Sequence, residues 1–294
     1  MAEPLKETLI AKLLASKGHK PLSDSPESTD WLRMLLDETI ERDQPFWNEP
    51  RTWFRASSAG EACERYMTFD AMGHGAPFEA RMLRVFRLGN AVEASNVPVF
   101  YDAGILVHPQ PGEPQEEIVY EGAPDEKLLV GHYDLLVKRR DTGELLLGEI
   151  KSIKMSNFKK LAHPSDIPAE NVSNLLRTHP KYVAQWTMYA GSEQVNTKHG
   201  FILFENKDDS YQKIYSLVVD EDLKAAILER LMSAWQYIRD IDNQRLAPIP
   251  ANRSPGDPRD PVCKWCSAQY LCRRLPVEGT DYATVRAEDA KLRG

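Results

Sequence analysis

The 294-residue chain has only four cysteines, and it has no uncharged apolar stretch of any length. Its first helix-like segment, Leu5 to Leu14, is interrupted by Lys6, Glu7 and Lys12. No later segment approaches the roughly 18 apolar residues that a helical membrane span needs, so the expectation is a cytoplasmic protein with no membrane contact. Positive charge is also short: the net charge of −7 excludes passive coating of a polyanion, and any nucleic-acid contact must be local. Internal repeats and low-complexity tracts are missing too, which excludes a solenoid or an array. What is present, 42% hydrophobic and 28% charged residues, suffices for one large domain or one domain with a helical annex.

The cysteines follow a pattern. Cys63 stands alone, and Cys263, Cys266 and Cys272 follow near the end of the chain as C-x2-C-x5-C. In a reducing compartment such thiols are metal ligands rather than disulfides. Four soft thiolates suit zinc or an iron-sulfur cluster, and ligands from both ends of the chain would make that centre a staple across the fold. Basic residues group as Arg81, Arg84 and Arg87, as Lys151, Lys154, Lys159 and Lys160, and as Lys264, Arg273 and Arg274; each group reads equally as a contact patch or a solvated surface.

Periodicity predicts helices at Leu5 to Ser16 and Pro26 to Arg42, the second with Ser25 as cap and Pro26 in the first turn. Further helices are expected at about Glu61 to Met72, Ala80 to Phe100, Lys181 to Ala190 and Glu221 to Asp242. Strand signals fall at Glu116 to Tyr120, Lys127 to Lys138, Glu144 to Ile153, Gly200 to Glu205 and Tyr211 to Val219. Asn157 to His179 reads as a polar connection. Pro248 to Pro261 holds five prolines and reads as an extended arm delivering the last three cysteines, and the tail from Pro276 as polar and loosely held.

Asp141-Thr142-Gly143 marks a turn between two apolar strands. With the loop at Arg140 to Gly143, cross-strand partners have numbers summing to 283, so Asp134 falls opposite Glu149. By the strand period, Lys151 and His132 share that face. Two carboxylates and a lysine among Leu128, Val130, Leu136, Leu146 and Ile150 read either as a buried ion network or as a hard-oxygen metal site, which uses the same groups at less cost. Isolated Trp186, Trp235 and Trp265 read as core or as cover over the cysteines, an exposed tryptophan being also a surface on which a base can stack.

Asp134 followed by Glu149-Ile150-Lys151 resembles the D...(D/E)-x-K core of the PD-(D/E)XK nuclease superfamily. Gln185-Trp186-Thr187-Met188-Tyr189 resembles the Q-x3-Y motif of its RecB-like branch, and the cysteine placement is similar to that branch's iron-sulfur members. These include the AddB nuclease domain and CRISPR-associated adaptation exonucleases with their phage-encoded relatives. The resemblance spans about residues 55 to 275. It implies an α/β fold with a restriction-endonuclease-like central mixed β-sheet flanked by helices. Residues 1–54 would form an N-terminal helical annex, 55–275 the nuclease domain closed by a C-terminal iron-sulfur staple, and 276–294 a polar tail.

The resemblance further implies a DNA exonuclease that prefers single-stranded ends. Magnesium or manganese would be held by Glu93, Asp134, Glu149 and the Ile150 carbonyl, with Lys151 as a catalytic residue. Gln185, Tyr189 and His132 would contact nucleic acid or brace the site, and Cys63, Cys263, Cys266 and Cys272 would hold a 4Fe-4S cluster. Glu93 departs from the pattern, since many iron-sulfur members place a histidine there. It extends the stripe Val85, Gly89, Glu93 on a helix face that looks inward, and an exposed helix carboxylate is the other reading. Rival readings are a non-catalytic DNA-end-binding or assembly subunit of a recombination or CRISPR-integration complex, and a zinc-stapled endonuclease.

Overall fold

The structure, a computed structural model, describes residues 27–42, 49–74, 78–255, 257 and 259–293. The helix expected at Leu5 to Ser16 lies outside the described residues. Among those described, the chain divides into two compact units. One takes in helix α1 (Glu27–Arg42) and residues 78–83, where Glu41 Oε1 accepts from the Ala80 N–H at 2.8 Å. The other takes in residues 49–74 and everything from Arg84 onward.

The second unit is built on mixed sheets flanked by helices. Its central sheet has five strands in the order β2 (Leu106–His108), β5 (Leu135–Lys138), β6 (Leu145–Ile153), β7 (His199–Asn206) and β8 (Gln212–Val218). Only the β6–β7 pair is parallel, and the crossover between them carries α4 (Pro168–Thr178) and α5 (Pro180–Ala190). A second sheet orders β1 (Phe54–Arg55), β4 (Glu126–His132) and β3 (Glu117–Ala123). Helices α2 (Glu64–Ala71), α3 (Ala80–Asp102) from Arg84 onward, and α6 (Glu221–Trp235) complete the layers. Among the described residues no helix is long and apolar enough to cross a membrane. The main core joins both sheets to α5 and α6 through Phe54, Ile118, Leu129, Leu147, Trp186, Ile202 and Trp235. Trp186 and Trp235 are core residues, each donating its indole N–H to a backbone carbonyl, of Leu147 and Thr52 respectively.

The β5–β6 hairpin has the expected register, Leu135 opposite Gly148 and Leu136 opposite Leu147, closed between Arg139 and Glu144. The strand expected to run from Lys127 to Lys138 does not. It breaks at Tyr133 and Asp134, leaving β4 in one sheet and β5 in the other. Three further segments differ. The polar connection contains α4, which buries Asn171, Val172 and Leu175 after a proline in its first turn. The proline arm is a run of turns rather than extended chain, with bonds from Arg253 to Pro250, Asp257 to Ser254 and Asp260 to Asp257; Pro255 sits second in the Ser254 turn, where its fixed φ belongs. The tail is docked: Asp281 caps α7 (Tyr282–Arg293) by accepting from Thr284, and Val285 is fully buried against a cluster including Phe69, Met72, Leu246, Leu271 and Leu275.

Candidate functional site

Strand β6 is buried on both faces, yet it carries Glu149 with no exposure at all. The register of the hairpin brings Asp134, 6% exposed, beside it, and Asp134 Oδ2 accepts the Ile150 N–H at 2.7 Å. Lys151, two residues along, sets its ammonium against Glu149 Oε1 as an ion pair. Lys151 is the donor facing Glu149 Oε1, and Glu149 Oε2 has no hydrogen-bond donor among the described residues. A buried carboxylate oxygen left without a donor is costly unless a further cation or a proton joins it.

Glu93 arrives from α3. The stripe Val85, Gly89, Glu93 is half-buried, and a Cβ on Gly89 would meet Ser152 Oγ of β6 at 3.6 Å, so the helix lies against that strand. One turn further on, buried Asn96 pins the helix, donating to Glu205 Oε2 (2.8 Å) while Gln212 donates to its Oδ1 (2.9 Å). Gln115 Nε2 donates to Glu93 Oε1 at 2.6 Å.

The charges respond to one another. Burial, then the Asp134 charge, raises the Glu93 carboxyl to about 7. Burial, then Asp134, raises Glu149 to about 8, with Glu93 adding to the effect. Asp134 is also raised by burial, although Lys151 and the Ile150 N–H oppose the shift. Burial pulls the Lys151 ammonium down, but Glu149 and Asp134 more than offset it and hold it above a free lysine. Three carboxylates thus share one ammonium, and full ionisation leaves two negative charges uncompensated.

Helix α5 supplies the other wall. Gln185 Nε2 donates to Tyr189 Oη at 3.3 Å, and Tyr189 is almost fully buried, its hydroxyl raised by burial and by the Glu149 charge. Gly131 makes room for it: a Cβ there would stand 2.5 Å from Tyr189 Oη and 2.5 Å from Ala56 Cβ. Tyr182, which sequence reasoning missed, lies on the same helix three residues before Gln185. Its ring is 5.6 Å from Lys151 Nζ and stacks on His179 with centroids 5.6 Å apart. The available signal was its i, i+3, i+7 spacing with Gln185 and Tyr189. Asn96, Glu205 and Gln212 were missed as well, although Asn96 is a polar residue on the inward stripe.

His132 is placed elsewhere. It ends β4 opposite Glu117 with an exposed side chain, because the strand period that would put it on the Asp134 face does not run through the break at Tyr133 and Asp134. Lys154, Lys159 and Lys160 are exposed on the segment after β6.

The four thiols also converge. Cys63, Cys263, Cys266 and Cys272, all unbridged, line one cavity together with Arg65, Tyr66, Phe69 and Arg253. Asp260 shapes its rim, accepting from the backbone N–H groups of Val262 and Cys263 at 2.9 Å each. Burial raises the Cys266 thiol to about 12 and, with Asp260, the Cys263 thiol to about 11; the neighbouring cysteines push the same way. Cys63 and Cys272 are raised by burial too. Four neutral thiols around two arginines, Arg65 and Arg253, fit a group that would deprotonate them. No set of three or more His, Cys, Asp and Glu side chains among the described residues stands at metal-ligand spacing.

No protein-family model matches the chain, and no curated protein sequence matches it. It is similar to the solved structure of SSO0001, at 13% identity and a TM-score of 0.41, over 85% of this chain and 98% of that one. It is also similar to the alkaline exonuclease LHK-Exo from Laribacter hongkongensis, at 15% identity and a TM-score of 0.40, over 66% of this chain and 91% of that one. The complex of LHK-Exo with dAMP matches at 15% identity, a TM-score of 0.38 and the same coverage. Likeness this remote leaves the functional reading to the chain's own residues.

Proposed function

We propose that the chain is a metal-dependent DNA exonuclease of the PD-(D/E)XK type, with residues 55–275 as its nuclease domain. The observation that carries this reading is the buried Glu149 carboxylate. It meets only the Lys151 ammonium, its Oε2 has no hydrogen-bond donor among the described residues, and it lies beside Asp134 and Glu93. Glu93, Asp134, Glu149 and the Ile150 carbonyl would hold magnesium or manganese; all are oxygen donors of the kind these hard cations take. When bound, the ion supplies a polarised phosphate and a water of lowered pKa.

The protein groups do the rest. The fixed positive charge of Lys151, held above the ordinary lysine range, faces the carboxylates where a scissile phosphate would be brought and stabilises charge that develops there. The Gln185 and Tyr189 pair braces the floor beneath Lys151 and Glu149. Burial of Asp134 and Glu149 keeps bulk water out, which strengthens every charge interaction in the site. The four cysteines would hold a 4Fe-4S cluster between the start of α2 and the C-terminal segment, and zinc is the second candidate for the same thiols.

A single-stranded DNA end is the substrate we favour. The chain's net charge of −7 gives it no general grip on long duplex, so a strand must be led past local cations to a carboxylate-lined centre. The deciding experiment is digestion of end-labelled single- and double-stranded DNA by anaerobically purified protein with magnesium. Nucleotides released progressively from single-stranded ends are expected. Binding without cleavage would establish the end-binding or assembly subunit instead, and rapid cutting of closed circular DNA would establish an endonuclease.

A further inference from the structure

Arg65 lies two residues after Cys63 in the first turn of α2, and it is 1% exposed. One of its nitrogens is used twice: NH1 donates to the Pro276 carbonyl at 2.7 Å and to the Val277 carbonyl at 3.2 Å. Nε and NH2 have no oxygen or nitrogen acceptor among the described residues, and the Cys272 thiol is the weak sulfur partner beside the guanidinium. The same side chain lines the cavity formed by Cys63, Cys263, Cys266 and Cys272. A guanidinium has five donors and no acceptor, and burying one with two nitrogens that face only a weak thiol acceptor is unfavourable.

The packing around Arg65 does not remove that cost. Its guanidinium carbon stands 5.9 Å from the Phe69 ring centroid, which covers one face and satisfies no N–H. Arg253, lining the same cavity, already has Asp260 within 3.6 Å. The ionisable groups acting on Arg65 are Cys272 and Cys63 first and Glu278 after them, so across the cavity the thiols dominate. As neutral thiols they are weak acceptors. As thiolates around a divalent zinc ion or an oxidised 4Fe-4S core, they form a unit of net negative charge.

We infer that Arg65 is the buried counter-cation of a thiolate-bound metal centre and that it couples the charge of that centre to the docking of the C-terminal segment through residues 276 and 277. The inference rests on the metal centre proposed above. Arg65 is a positioning residue: it ligates nothing, and it acts on the centre through its charge. Its two grips have different requirements. The charge facing the thiols needs only a cation of about the right reach. The grip on the two carbonyls occupies NH1 while the rest of the guanidinium faces the thiols, and lysine, with a single nitrogen, cannot serve both places.

The test compares anaerobically purified full-length wild type, Arg65→Lys and Arg65→Gln. Iron, sulfide and zinc are measured per chain, the midpoint potential of any cluster by redox titration, the rate of metal loss to a chelator, and the rate of proteolysis after residue 275. The glutamine variant, read on its metal-loaded fraction, is expected to show a more negative midpoint potential and several-fold faster metal loss. The lysine variant is expected to keep potential and metal loss near wild type while its C-terminal segment is cut several-fold faster.

A glutamine variant with wild-type potential and wild-type metal loss overturns the inference, and so does a lysine variant that falls as far as the glutamine variant in both. If the glutamine variant fails to fold, the lysine variant decides alone: retained potential supports the inference and a negative shift overturns it. If the wild type holds zinc, chelator loss takes the place of the potential with the same expected order. A wild type that holds neither iron nor zinc overturns the metal-centre reading itself, an outcome visible before any variant is compared.

Discussion

Glu149 and Lys151 lie on one strand of a hairpin and Asp134 immediately before the other, while Cys63 and Cys263 are separated by 200 positions and meet at the end of a helix and a run of turns. The carboxylates are located by sheet hydrogen bonds and by the strands' two apolar clusters, one with Leu147, Trp186 and Ile202 and the other with Leu135, Ile150 and Phe201. The thiols are located by segments whose own hydrogen bonds are mostly short turns. A site of the first kind keeps its geometry whether or not its ligand is bound. A site of the second kind would gain much of its order from the metal proposed for it, because that metal would close the loop.

The sharpest separation is expected from catalysis. Asp134→Ala, Glu149→Ala and Lys151→Ala should each lower DNA cleavage by about 10²–10³-fold or more while leaving the metal content of the thiols unchanged. End-labelled digestion and metal analysis of the same samples check this. Full activity in any one of the three variants would remove that residue from the site. Glu93→Ala should act more mildly, raising the magnesium concentration needed for half-maximal rate. Normal cutting at low magnesium would leave Glu93 a helix carboxylate with no part in metal use.

The reverse separation should come from the cysteines. A staple that closes a loop of this length is worth on the order of 5 kcal/mol in chain entropy. Apolar docking of Phe69, Leu246, Leu271, Leu275 and Val285 holds the same segments together without the metal and softens the loss. Cys266→Ser should therefore lower the unfolding midpoint markedly and loosen the C-terminal segment to protease, yet leave the carboxylate site able to bind manganese. A variant as stable as wild type would show that the apolar cluster alone holds the segment.

Gly131 tests the join between the β4 sheet and α5. Gly131→Ala forces a methyl to within 2.5 Å of both Tyr189 Oη and Ala56 Cβ, an overpacking that costs about 1–3 kcal/mol. Activity should fall more than the stability loss explains, because Tyr189 underlies Glu149 and Lys151. Equal activity at a temperature where both proteins are folded would show that the tyrosine position is not critical.

Much of the carboxylate site was legible in sequence because its physics is local. The turn at Asp141 to Gly143 sets the register, the register sets Asp134 against β6, and a polar Glu149 amid Leu146, Leu147 and Ile150 demands a reason. The inward stripe of α3 made Glu93 visible in the same way. The break at Tyr133 and Asp134 was hard to read, because the apolar run resumes directly after Gly131-His132-Tyr133-Asp134; the change of sheet goes with β3, the hairpin partner of β4, and with β1, which pairs with β4 from a distant segment. His132 was misplaced for that reason. Helix α4 was hidden because one of its inward residues is Asn171, whose amide bonds to Ser165 and Ser216 replace apolar contact. Pro168 in its first turn was the signal available. The docked tail was hidden by its charge, with a single aliphatic residue, Val285, carrying its burial.

The smallest effect follows from protons. In the metal-free protein, burial and mutual repulsion raise Glu93 to about 7 and Glu149 to about 8, above an unfolded value near 4.5. Cys263 and Cys266, at about 11 and 12, stay protonated throughout that range. A carboxyl raised on folding binds its proton more tightly in the native state, so its stabilising contribution is complete below the unfolded value and disappears as pH rises through the folded one. Chelator-treated protein should thus lose stability between pH 5 and 8.5, read as a falling denaturant midpoint, and Glu149→Gln should flatten the slope because its amide does not titrate. Magnesium should reverse the trend, since the ionised carboxylates bind it and the protonated ones do not. A midpoint that rises with pH in the metal-free protein, or a Glu149→Gln variant with the same slope as wild type, would show that these carboxylates are ionised in the fold without a metal, held by Lys151 alone.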